Sequence, residues 1–219
     1  YLTTCGNEFT MNTFAYSGKP IFRLPMLAQK MWPWPETKDF EASRHRFLWF
    51  GSRGMVHKGL DVVLEAFAQV PECQLTIVGP VHDEPEFVNV YRKELFHTSN
   101  IKCVGWLDKL SDDFRTILEQ SVAHVFPSCS EAGAAAVIET MAAGVIPVVT
   151  YESSIDVENF GVLLQDASIE TIIRQVREVA ALPAEDLFRR SRRAWEAAHS
   201  NHTPEKFEQS YRETIDMIL

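Results

Sequence analysis

From Phe47 onward the sequence alternates short apolar runs with segments of helical period, and this alternation leaves few folds open. Phe47-Leu48-Trp49-Phe50 closes at Gly51, and Lys58 to Val70 then places Leu60, Val63, Leu64 and Phe67 at helical spacing. Cys73 to Val78 ends in Gly79-Pro80 and is followed by a helix pattern around Glu86 to Phe96. Ile101 to Val104 ends at Gly105, and Ser111 to Glu119 follows, with Ser111 and Asp112 suited to an N-cap. Val122 to Phe126, Val145 to Thr150 and Gly161 to Leu164 complete the series, with a helix after the first of these and another over Ser168 to Leu182. Strands without polar alternation are buried on both faces, and a parallel sheet with helices on either side provides that burial. The expected fold is α/β: a doubly wound parallel sheet forming a Rossmann-like domain, with helices at its C-terminus. Such sheets bind ligands at the carboxyl ends of their strands, where Gly51, Gly79, Gly105 and Pro127 fall.

A chain of 219 residues, 46% of them hydrophobic, is long enough to bury a full core of this kind. Its formal charge of −9 argues against nucleic acid as a partner, because tracking a phosphate backbone needs a basic face. The dense basic cluster at Arg189, Arg190, Arg192 and Arg193 reads as a solvated helix face; anionic lipid at a membrane periphery or an acidic partner would also suit it. Cys5, Cys73, Cys103 and Cys129 show no metal-ligand spacing and read as buried free thiols in a reducing, cytoplasmic setting. No apolar run has membrane-spanning length. Residues 1–46 differ from the rest, with Pro20, Pro25, Pro33 and Pro35, a short strand candidate at Ile21 to Leu24, and Trp32 and Trp34 in need of packing partners. They read as an extended lead-in or interdomain connection, and a start at Tyr1 is compatible with a fragment, a processed protein or a chain trimmed at its N-terminus.

The richest segment runs from Pro127 to Pro147, where a strand, a small-residue turn and a helix meet between Glu131 and Glu139. A helix opening after such a turn leaves free N–H groups and the positive end of its dipole facing the crevice, which suits a phosphate. Glu131 lies before the helix and Glu139 about two turns inside it. One carboxylate would then address the reacting end of a ligand, and the other the vicinal hydroxyls of a sugar such as ribose. A purely structural reading stands beside this one, since Glu near a helix start is favoured by the dipole and Ala is the best helix former.

A second turn, Gly51-Ser52-Arg53-Gly54-Met55-Val56-His57-Lys58-Gly59, brings two cations to the same edge of the sheet. Arg53 as a planar fork and Lys58 as a point charge could hold a diphosphate. A lysine at a helix N-terminus opposes the dipole, which weakens the view that it is there by accident. The chain has no G-x-x-x-x-G-K-S/T loop and no G-x-G-x-x-G, so kinase, NTPase and dehydrogenase readings lose their main support. Asp112-Asp113 reads as a helix N-terminus rather than a metal pair, and His124, inside an apolar strand, as a hydrogen-bonded core residue. Trp106 after Gly105 would border a nucleobase or, as is more common at a strand end, simply pack; His57 in the basic turn would touch a phosphate, and His82, after the Gly79-Pro80-Val81 strand end, would line the cleft.

The R-x-x-x-x-K-G turn at Arg53 to Gly59, the P-S-x-x-E-x7-E block at Pro127 to Glu139 and the M-A-x-G-x-P-V that follows resemble the C-terminal half of a retaining nucleotide-sugar glycosyltransferase of the GT-B fold. The resemblance extends from about Phe47 to the C-terminus. Where that family commonly reads E-G-F-G-L-P, this chain reads Glu131-Ala132-Gly133-Ala134-Ala135-Ala136, and Ser52 replaces the glycine usual before the arginine. The resemblance implies catalytic roles for Glu131, Arg53 and Lys58, with Arg53 and Lys58 on the donor diphosphate and Glu131 by the transferred sugar. It assigns donor binding to Glu139, at the ribose hydroxyls, and to Gly51, Ser52 and the backbone at Gly133, Ala134, Ala135 and Ala136.

The implied substrate is a UDP-, GDP- or ADP-sugar, with a carbohydrate, lipid or other acceptor; the implied reaction is front-face displacement, requiring no metal or other cofactor. Residues 47–202 would be the donor-binding domain, 203–219 a final helix packing toward the domain junction, and 1–46 the connection to an N-terminal acceptor domain without which the hexosyltransferase would be incomplete. A noncatalytic nucleotide-sugar-binding module and a GT-B sugar epimerase are the alternatives. The sequence leaves the base, sugar, acceptor and oligomeric state open.

Overall fold

Each apolar run becomes a strand of a single sheet in the computed structural model, which describes all 219 residues. Residues 1–46 carry β1 (Leu2–Thr4), α1 (Glu8–Thr13), β2 (Ile21–Arg23) and α2 (Phe40–Ser43), with β1 and β2 paired in parallel. The large sheet follows: β3 (Arg46–Phe50), α3 (Leu60–Phe67), β4 (Gln74–Val78), α4 (Pro85–Val90), α5 (Arg92–His97), β5 (Ile101–Gly105), α6 (Asp112–Gln120) and β6 (Ala123–Phe126). It continues through α7 (Ala135–Met141), β7 (Ile146–Thr150), β8 (Val162–Leu164) and α8 (Ile169–Ala181), and the chain ends in α9 (Ala184–Asn201) and α10 (Pro204–Ile218). All six strands are parallel, in the order β5-β4-β3-β6-β7-β8. The fold is the expected doubly wound, Rossmann-like one.

Successive residues of β3 show why both faces must be covered. Phe47 and Trp49 pack in the cluster that holds Leu60, Val63, Leu64 and Phe67 of α3, whereas Leu48 packs with Phe114 and Leu118 of α6 on the opposite face. Phe47, Leu48 and Trp49 are fully buried, and side chains of this size each contribute about 1.5–3 kcal/mol on burial. A third cluster joins Phe126, Val137, Ile138 and Met141 to Ala194 and Ala198 of α9.

The first forty-six residues are not extended throughout, and they are bound to the sheet domain. The side chain of Asn7 caps α1 by accepting from Phe9 N–H, and Asp39 caps α2. Trp32 is buried against Leu48, Val78 and Phe114, and its carbonyl accepts from the Trp195 indole at 2.9 Å. Trp34 meets Phe188 and Trp195 edge-on. Of the arginine cluster on α9, Arg192 joins this seam over Trp34 and Trp195, whereas Arg189 pairs with Asp186 of its own helix, Arg190 reaches the Gly161 carbonyl, and Arg193 reaches Asn159. Arg189 and Arg193 remain exposed, as on a solvated helix face, while Arg190 and Arg192 are half-buried.

Two further expectations change. The single helix read around Glu86 to Phe96 is two, broken at Tyr91, whose φ of −99° and ψ of 22° leave the helical region. At the break the Tyr91 ring lies tilted against Phe87 and its hydroxyl donates to Glu65 of α3. Of the four cysteines only Cys73 is buried; Cys5 and Cys103 are half-buried and Cys129, one turn past the end of β6, is exposed.

Candidate functional site

The strand order reverses between β3 and β6: β4 and β5 extend the sheet to one side of this pair, β7 and β8 to the other. The loops leaving β3 and β6 therefore part company, and a crevice opens at their carboxyl ends. Both motif segments, Gly51 to Gly59 and Pro127 to Glu139, are those loops.

The two turns are joined to each other. The His57 carbonyl accepts from Cys129 N–H at 2.9 Å, and the Ser128 hydroxyl lies within reach of the same carbonyl and of Glu131. Gly59, the N-cap of α3, has φ of +70°, and a side chain there would collide with the Pro127 carbonyl. Glycine is required at this point by conformation and by space. On the other side, the Glu84 carboxylate accepts from the Gly54 and Met55 amides at 2.5 and 3.2 Å and fixes the start of the turn. The Trp49 indole donates to the Lys58 carbonyl.

This scaffold brings Lys58 to Glu131. Their ion pair is 2.8 Å long, and the side chains retain 13% and 19% exposure. The Lys58 ammonium also lies 6.0 Å from the centre of the Phe126 ring. Thr10 of α1 donates to the Glu131 carbonyl at 2.9 Å, so residues 1–46 reach the turn as well. Gly133, with φ of +101°, allows the backbone of Cys5 to approach within 2.9 Å of where a Cβ would stand.

Two turns of chain further on, Glu139 forms a second pair. Its Oε1 accepts from Lys109 at 2.7 Å and from Gln29 N–H at 2.8 Å. It lines a cavity of about 440 Å³ together with Gly51, Ser52, Trp106, Ala135 and Ala136. The N–H groups of Gly133, Ala135 and Ala136 make no hydrogen bond within the chain, as expected where a helix begins. Ala134 differs, since its amide donates to the Ser153 carbonyl at 3.1 Å.

Arg53 is not brought to Lys58. Its guanidinium makes two bonds to Asp83, at 2.8 and 3.1 Å, and its side chain is 77% exposed. His57 turns to the Ser130 carbonyl, and His82 stacks on Phe96. His124 is a core residue, fully buried, with Nε2 accepting from Phe50 N–H and Nδ1 facing the Thr140 hydroxyl. Because Nε2 accepts, the ring is neutral with its proton on Nδ1, and burial pushes its pKa down to about 3. Asp112 and Asp113 occupy the first turn of α6, capped by Ser111.

Sequence reasoning missed Lys109 and Gln29. Lys109 stands four residues past the Gly105 strand end, a position that marks the ligand edge of the sheet; its charge alone resembles any solvated loop lysine. Gln29 contributes a backbone amide, which no side-chain motif announces.

The architecture is that of the C-terminal domain of GT-B glycosyltransferases. It is similar to a crystal structure of a glycosyltransferase from Rickettsia africae (TM-score 0.78, 14% identity, 99% of this chain and 62% of that one). Anabaena HepE in complex with UDP and glucose is also similar (0.76, 13%, 98% and 62%), as is a point mutant of S. aureus TarM in complex with fondaparinux, α-GlcNAc-glycerol and UDP (0.75, 14%, 96% and 43%). The chain thus spans between about two fifths and three fifths of the length of these proteins. No curated protein matches it in sequence. The family model of the glycosyl transferases group 1 matches residues 44–181, and the chain belongs to that family.

Proposed function

We propose that this chain is the donor-binding half of a retaining glycosyltransferase, which transfers a sugar from a nucleotide diphosphate sugar to a carbohydrate, lipid or other acceptor. One observation carries the reading: the unpaired amides of Ala135 and Ala136 lie between two cation-paired carboxylates, at the edge of a cavity large enough for a nucleoside. The UDP present in the HepE and TarM structures supports a nucleotide diphosphate as the ligand.

In this reading the nucleoside enters the cavity with its ribose at Glu139, and the diphosphate crosses the amides toward Lys58. Arg53 joins it by leaving Asp83, a change that costs little because an exposed ion pair is worth about 0–1 kcal/mol. Glu131 holds hydroxyls of the transferred sugar. The bond from the anomeric carbon to the phosphate oxygen breaks with its electron pair on the diphosphate, and the acceptor oxygen bonds to the same face of that carbon. The acceptor's proton passes to the departing phosphate. The protein supplies position and positive charge where negative charge grows.

Residues 47–202 would form the donor domain, completed at Glu139 by the Gln29 amide of residues 1–46, which would connect it to an acceptor-binding domain; residues 203–219 would be a helix facing that junction. The exposed thiol of Cys129 favours a reducing, cytoplasmic setting. No helix is long and apolar enough to cross a membrane.

Titration of the protein with UDP-, GDP- and ADP-sugars tests the site. Lys58→Ala and Glu139→Ala are each expected to weaken binding by about tenfold or more, the worth of one hydrogen bond to a charged group. Wild-type affinity in both variants would sink the assignment. Release of free nucleotide in the presence of acceptor separates a transferase from a noncatalytic binding module.

A further inference from the structure

Glu139 is the only carboxylate of the chain that is buried, and its two oxygens are used differently. Oε1 carries both the Lys109 ammonium and the Gln29 amide. Oε2 accepts nothing within the chain, yet it is not among the buried atoms left without a partner, so it is open to the cavity that Glu139 lines. A buried carboxylate is costly unless a cation and hydrogen bonds compensate it, and Lys109 is the one cation bonded to Glu139. Lys109 also sits in the loop between β5 and α6, with Trp106, Leu107 and Asp108 on the same cavity wall. Its ammonium therefore ties that wall to α7.

We infer that Lys109 is the positioning residue of the ribose subsite: by occupying Oε1 it presents Oε2 to vicinal hydroxyls, and it fixes the β5–α6 loop across the cavity. This rests on the donor-pocket reading above. An ammonium at 2.7 Å and an amide at 2.8 Å on one oxygen restrict rotation of the carboxylate, so the other oxygen is held in place before any ligand arrives. Without Lys109, Glu139 keeps a single anchor and loses its counter-charge. The consequence is selective, since the hydroxyl-reading contact suffers while the apolar wall that meets the base remains.

Calorimetric titration of the whole chain with UDP, GDP and ADP, each against its 2′,3′-dideoxy counterpart, tests this. The wild type is expected to prefer the ribonucleotide by about tenfold or more. Lys109→Met should abolish most of that preference while leaving dideoxynucleotide affinity unchanged, and Lys109→Arg should restore it. Preference retained in Lys109→Met overturns the inference and leaves the donor-pocket reading standing, as does equal loss of affinity for both ligands, which marks a merely structural role. A misfolded Lys109→Met hands the decision to Lys109→Gln, which keeps a donor without the charge and is expected to lose the preference. Binding of none of the three nucleotides by the wild type overturns the donor-pocket reading together with this one.

Discussion

At the scale of single residues, polar groups that serve the fold are separable from the charged residues of the candidate site. His124 is one of those that serve the fold. Its Nε2 accepts from Phe50 N–H, and the Thr140 hydroxyl that faces its Nδ1 donates onward to the Val137 carbonyl, so a chain of hydrogen bonds links β3, β6 and α7 beneath the site. The ring's pKa is about 3 in the fold and 6.5 in an unfolded chain. Above pH 6.5 both states are neutral, and the residue gives stability no pH dependence. As pH falls from 6.5 toward 3 the unfolded state alone takes up the proton, and stability is lost by about 1 kcal/mol per pH unit from this group. Urea midpoints measured between pH 7 and pH 5 should fall in the wild type, and the fall should be shallower in His124→Gln. An equal slope in both would assign the acid sensitivity to other groups. Lys58, Glu131 and Glu139 could be picked out as candidates in the sequence because each stands at a fixed distance from a glycine turn. Lys109 and Gln29 could not, because one lacks a motif and the other acts through its backbone.

At the scale of elements, strand positions were readable to within about one residue, since a doubly covered strand shows a mostly apolar run with few polar interruptions such as Thr76 and His124. Breaks inside helical patterns were not. Tyr91 has acceptable helical spacing, and its departure from the helix is tied to the Glu65 acceptor on α3, a tertiary contact. The role of the segment before β3 was also hidden. Lys38 donates to the Ser121 carbonyl at 2.7 Å and to the Gly144 carbonyl at 3.2 Å, closing the C-terminal ends of α6 and α7 with one ammonium. Burial lowers the Lys38 pKa to about 7, so its ammonium form is complete in the fold only below that pH. At pH 6, Lys38→Met keeps most of the aliphatic stem, removes this clamp and leaves both carbonyls unpaired, with an expected loss of about 2 kcal/mol. Equilibrium urea unfolding measures it. A change below a few tenths of a kcal/mol would show that solvent takes over both carbonyls without penalty.

Across the whole molecule, stability is graded outward from the paired strands. Every residue of β6 and β7 is buried, whereas α10 buries only Thr214 and leaves Tyr211 and Met217 exposed. Amide hydrogen exchange should therefore release α10 by local opening well before the amides of β6 and β7, which should exchange only with global unfolding. Equal protection of α10 and β6 would show that the helix is covered by a partner in solution.

The match to the family opens at residue 44, but the cavity does not respect that seam: the amide of Gln29 reaches Glu139, and Trp32 lies under β3. A graft of this domain cut where family likeness begins would carry every signature residue and still lack one of the two anchors on its buried carboxylate. The smallest transplantable unit is set by the reach of its hydrogen bonds, and for this chain the boundary falls upstream of Gln29.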